Sequence, residues 1–128
     1  MSYADPDRRQ YSFGLVDFGA GANVSLSLQG PKGKAGRLVS IHLTATEVFT
    51  ADGAIQIGTA SDPDAYANFV VGTVAATDSV CSDDGVTDPD AIIDANIPAD
   101  TQVEVTCVKT TGTPTGQGLV SVIIDWAW

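Results

Sequence analysis

A chain of 128 residues falls within the size range of one domain, long enough to bury roughly two-thirds of its unfolded surface around a single core. Sixteen acidic against six basic side chains leave a formal net charge of −10, a field that repels phosphate and anionic lipid and so argues against nucleic acid or a membrane as partner. The apolar 44% is mostly Val, Ile, Leu and Ala set among Thr, Gly and Asp, which favours strands and turns over helices.

No stretch approaches the ~20 apolar residues that a bilayer-crossing helix needs, and the opening Met-Ser-Tyr-Ala-Asp-Pro-Asp-Arg-Arg lacks the apolar segment of a secretory signal. The chain therefore reads as made in a cytoplasm. There the default for Cys81 and Cys107 is two small buried thiols, with one bridge as the other reading. Five of the six cations, Arg8, Arg9, Lys32, Lys34 and Arg37, lie in the first third, and Lys109 stands apart. Any attraction for an acidic partner belongs to that third.

Residues 1–10 are polar, without periodicity, and read as a flexible arm ahead of a domain over 11–128. Tyr11 to Val16 is a short β-prone run, and Asn23 to Leu28 alternates polar and apolar with period two, the pattern of a half-buried strand. Gln29 to Gly36 combines glycine, proline and lysine into a turn. Between Arg37 and Phe49 the alternation puts Val39, Ile41, Leu43 and Ala45 on one face and Ser40, His42, Thr44 and Thr46 on the other, with a bulge expected near Glu47 to Phe49.

Ala51-Asp52-Gly53 supplies an Asp-Gly hairpin turn leading into the alternating strand Ala54 to Gly58, so an antiparallel sheet is expected. A loop around Asp62-Pro63-Asp64 precedes short apolar runs at Phe69 to Val71 and Thr73 to Ala76. Asp78 to Asp90 reads as a long exposed connection, and Ala91 to Asp94 as a strand or a helical turn. Thr101 to Val108 turns Val103, Val105 and Cys107 one way. After the Gly/Thr/Pro turn at Gly112 to Gly118, Val120, Val122, Ile124 and Trp126 share a face of the last strand. About eight short strands without a helix predict an all-β, antiparallel β-sandwich of jelly-roll type. Neither an internal repeat nor a dividing linker interrupts it.

His42 is the sole histidine and stands mid-strand between Ile41 and Leu43, where an exposed or interface imidazole is expected and no nucleophile motif accompanies it. No catalytic residue and no resident cofactor is assigned. Asp83, Asp84, Asp88 and Asp90 are oxygen donors that could hold Ca²⁺, yet their spacing departs from the regular calcium loop, and a solvated turn is the default reading. Asp62 and Asp64 carry the same two readings. Trp126 and Trp128 fall on the same face; Trp126 is expected in the core, whereas Trp128 at the last position suits a subunit contact or a stacking surface.

The succession Ile55-Gln56-Ile57-Gly58-Thr59, Asp62-Pro63-Asp64-Ala65-Tyr66, Ile97-Pro98-Ala99-Asp100-Thr101, Val103 to Cys107, a Gly/Thr/Pro turn and a closing Val-Ile-Ile-Asp-Trp resembles the head-decoration, or cement, proteins of tailed bacteriophages over roughly residues 37–128. The resemblance implies a β-sandwich on the capsid surface of the virion, bound to the major capsid protein and to itself as a homotrimer. It also implies that the N-terminal arm reaches the shell or a neighbouring subunit. Arg8, Arg9, Tyr11 and Trp128 are then the partner-binding candidates, the two arginines meeting acidic capsid surface. The competing expectation is a carbohydrate-binding or host-attachment module of a phage tail or secreted protein, using Trp128, Tyr66 and the Asp loops.

Overall fold

The computed structural model describes residues 7–19, 22–50, 53–83, 88, 90–109 and 115–126. These residues form nine strands and no helix: β1 (Asp7–Asp17), β2 (Val24–Gln29), β3 (Gly36–Glu47), β4 (Ala54–Gly58), β5 (Ala67–Val70), β6 (Ser79–Cys81), β7 (Asn96–Ile97), β8 (Gln102–Val108) and β9 (Gln117–Trp126). One sheet runs β1-β9-β3-β6 with β7 also paired to β3, and the other runs β2-β8-β4-β5; every described pairing is antiparallel. First pairs with last, second with next to last, third with β6 and β7, and fourth with fifth. This is a long hairpin rolled onto itself, the jelly roll. β6 and β7 share one station along β3, which reconciles nine strands with the eightfold plan.

The two inner faces meet in one apolar core. β9 contributes Val120, Val122, Ile124 and Trp126, β8 contributes Val103, Val105 and Cys107, and β4 contributes Ile55 and Ile57, all buried. Period-two alternation with one wet face produces this arrangement, since each inward side chain of this size gains about 1.5–3 kcal/mol by leaving water. Phe18 and Phe49 close the end of the roll edge to face, their ring centroids 5.1 Å apart.

Several expectations are corrected. β1 begins at Asp7, because residues 7–10 pair with Trp126 through Ile123 of β9, four residues ahead of the expected start at Tyr11; residues 1–6 lie outside the described part. In β3 the core face is Leu38, Ile41, Leu43 and Ala45, and Val39 is only half-buried. The register with β9 slips between Leu38 and Ser40, so Val39 is the extra residue of a bulge and every residue before it changes phase. A second slip between Ala45 and Glu47 answers to the bulge expected at that end.

The turn around Gly53 does not close a two-stranded hairpin. β3 and β4 stand in different sheets, and the chain crosses the sandwich between them. The stretch read as a long exposed connection contains β6, paired to His42 through Thr44 of β3. Ile92 makes an isolated bridge to Ala67. Cys81 lies on the first sheet and Cys107 on the second; they are not bridged, and Cys81 is half-buried where a buried thiol was expected.

Candidate functional site

The roll gathers the cations. β1 and β3 both start where β9 ends, with Asp7 and Gly36 each opposite Trp126. Arg8, Arg9 and Arg37 therefore share one end of the first sheet, and the turn carrying Lys32 and Lys34 joins β2 to β3 at that same end. Lys109 follows β8 at the far end, its backbone N–H donating to Asn23 Oδ1 at 3.0 Å. A chain of net charge −10 thus collects five of its six cations at one end, where they stand among Asp7, Asp100 and Asp125.

On the outer face of the first sheet Arg8, Asp125 and Arg37 form a cross-strand row. Arg8 grips Asp125 through two parallel bonds, Nε to Oδ1 at 2.7 Å and a terminal N–H to Oδ2 at 2.9 Å. The hydrogen bond from Arg8, aided by the charges of Arg8 and Arg37 and opposed by partial burial, holds the Asp125 carboxyl below its ordinary value. Arg8 stays largely in water, so the pair orders the row more than it stabilises the fold. Arg37 makes no ion pair with a described residue. Arg8, Arg37 and Asp125 line a surface cleft of about 440 Å³ whose apolar wall includes Val39 and Ile92.

Arg9 folds back on Asp7, with its Nε 3.0 Å from Oδ2. Tyr11 accepts the buried Trp126 Nε1–H at its hydroxyl, 2.8 Å away. Of the four expected partner residues, Arg8, Arg9 and Tyr11 are brought to one strand, each with an intrachain partner, and Trp128 lies outside the described residues. Arg37 and Asp125 were not singled out from sequence. Only the β1-β9-β3 register makes them a row with Arg8, and no local motif signals that register.

His42 stands half-buried on the outer face, with Ser121 and Cys81 as its cross-strand neighbours and its Nε2 2.8 Å from Ser40 Oγ. Ser40 is 2% exposed, so a substrate carbonyl has no path to its hydroxyl. No carboxylate among the described residues hydrogen-bonds the ring to orient it as a base. Asp88 accepts the Val70 backbone N–H at 3.0 Å, Asp83 and Asp90 are exposed, and Asp84 lies outside the described residues. Among the described residues no three His, Cys, Asp or Glu groups come together as a metal site. Tyr66 is buried at 7% exposure, which removes it as a sugar platform; its ring packs in the core, and burial pushes its phenol pKa up.

No protein-family model matches the chain, and no curated protein matches it. Among solved structures, a chain from the one described as the cyanophage Pam1 capsid asymmetric unit is similar, with a TM-score of 0.47 and 10% identity over 100% of this chain and 89% of that chain.

Proposed function

We propose that the chain is a non-enzymatic structural protein of a tailed-phage virion that binds the major capsid protein on the outer capsid surface and stabilises the shell as a homotrimer. The observation that carries this reading is the polarised jelly roll. Apart from the buried, unpartnered Asn68 Oδ1, its described polar groups serve the scaffold or remain solvated, while five of six cations collect at one end of an acidic body. Such a body adds contacts to a shell without needing chemistry. The cation-bearing end suits acidic protein surface, where long-range attraction speeds encounter and fixes orientation. Jelly rolls also serve as capsid and lectin domains, so architecture supports the class without selecting the partner.

Co-sedimentation with empty capsid shells tests the reading. The expected result is saturable binding that weakens with rising salt and falls at least tenfold in a Arg8→Glu/Arg37→Glu chain. Binding to immobilised glycans, abolished by Trp128→Ala while shells are ignored, would replace the virion reading with the carbohydrate one. Light scattering that reports a monomer at micromolar concentration would remove the homotrimer.

A further inference from the structure

The two sheets differ on their outer faces. The second sheet shows water Ser25, Ser27, Glu104, Thr106 and Gln56, with Ser27 donating to the Glu104 carboxylate at 3.1 Å, as a solvated face should. The first sheet instead carries Leu15 directly opposite Leu119, 58% and 48% exposed, with Ile123 four residues further along β9, beyond Ser121. Around them lie Ser12, Gly14, Thr44 and Ser121, with Gln10 and His42 on the same face, and a shallow cleft of about 280 Å³ runs over Gln10, Ser12, Gly14, Thr44, Leu119 and Ser121.

The charges of this face are sorted along the strands. One end has the Arg8–Asp125–Arg37 row, net +1, and the other has Asp17–Gln117–Glu47, net −2. Ser121 lies midway between them on β9. We propose that this face binds a second copy of the chain about a two-fold axis that lies in the contact plane and crosses the strands at Ser121.

Such an axis keeps each strand over its own counterpart and reverses direction along it. Arg8 then meets Asp17 of the second copy, Arg37 meets Glu47, Ile123 covers Leu119, Leu15 lies on the stem of Gln10, and Ser121 and His42 each face themselves. A two-fold contact repeats each of these matches, so one coincidence of sequence supplies two contacts. Arg37 brings a guanidinium without an ion pair to any described residue, and Glu47 has one oxygen on the Gly116 N–H at 2.9 Å and the other unbonded to described residues. Twisted sheets pack about 30° from parallel, and long arginine stems span the sideways shift this causes at the rows.

Three strands about 4.8 Å apart over nine residues of about 3.3 Å each, with the short β6 beside them, cover about 450 Å² per copy. The two copies together then bury about 900 Å², in the range of weak, transient contacts. At ~0.15 M salt the Debye length of about 8 Å screens the mutual repulsion of two acidic bodies, and the matched rows act at contact range. The inference does not rest on shell binding, but both contacts draw on Arg8 and Arg37, so a face occupied by a second copy cannot offer that row to a shell. If copies also assemble about a three-fold axis, this face joins two such trimers.

Sedimentation equilibrium of the full chain from 1 to 200 µM at 150 mM salt tests the contact. Self-association is expected to weaken at least tenfold in Leu119→Asp and in Arg37→Glu, halving the particle mass at a fixed concentration. Arg37→Glu and Glu47→Lys should each fail alone and associate with each other when mixed, because the swapped charges meet only across the two-fold. If Glu47→Lys disturbs the fold by circular dichroism, the β1 pair Arg8→Glu and Asp17→Lys replaces it. A monomer at 200 µM, a trimer unchanged by Leu119→Asp, or charge-swapped chains that fail to pair would each overturn the two-fold contact. Shell co-sedimentation by that same unassociated chain would leave the virion reading standing.

Discussion

Gly36→Ala turns a residue that sequence assigns to a turn into a test of how Trp126 is seated. A Cβ built at Gly36 lies 2.5 Å from Trp126 Cζ3 and 2.6 Å from Cε3, against ordinary contacts beginning at 3.4 Å. The indole would have to retreat by nearly an ångström. It is 1% exposed, its Nε1–H is held by Tyr11 Oη at 2.8 Å, and a Cβ at Gly30 would also stand 2.5 Å from the ring. Replacing a strand glycine by alanine ordinarily gains about 0.5–1 kcal/mol from the unfolded chain. Overpacking at this depth costs about 1–3 kcal/mol, so the net change is a loss of about 1–2 kcal/mol. For a chain of 128 residues, with an unfolding entropy of about 2.1 cal/mol/K per residue, the midpoint falls by about 4–8 °C. Thermal and urea unfolding followed by far-ultraviolet circular dichroism measures it. In a Trp126→Leu background the penalty should vanish, a coupling of at least about 1 kcal/mol. An alanine that stabilises the wild-type chain, or one whose cost persists without the indole, would refute the reasoning.

Phe49→Ala empties a fully buried site against Phe18 and should cost about 3–5 kcal/mol, read as a lower denaturant midpoint at unchanged slope. At pH 8 a thiol reagent should label half-buried Cys81 first, and Cys107 only at the rate of unfolding, because burial pushes the Cys107 thiol up to about 12. The Cys107 contribution to stability is accordingly complete below its unfolded value of 9.0 and is lost as pH climbs through about 12, which alkaline unfolding of Cys107→Ala beside wild type would reveal. The Asp125 carboxyl should titrate below 3.8 by carbon-detected NMR and move up in Arg8→Ala; its contribution is present above that pH and fades as pH falls.

The candidate site was legible in its parts and hidden in its arrangement. Arg8, Arg9 and Tyr11 stood out in the sequence, but Arg8 is joined to Asp125 across 117 residues, and Tyr11 to Trp126 across 115. Arg37 gains its place beside them only because β3 starts where β9 ends. Trp128 and Asp84 belong to segments outside the described residues, so their part in any site is untouched by these observations.

By itself the sequence determined which side of β8 and β9 is dry, and of β3 only beyond its bulge at Val39. Val120 to Trp126 and Val103 to Cys107 needed nothing beyond alternation, since a side chain either leaves water or does not, and period two records that choice residue by residue. Tertiary structure alone decided which strands meet. β3 and β4 look like a hairpin but part into opposite sheets, and β1 finds β9 across nearly the whole chain. Gly30 and Gly36 read locally as turn residues, and only the closed roll lays an indole against them. Pairing over such distances is chosen by the sum of core burial after the chain ends have been brought together, a quantity that no short window of residues contains.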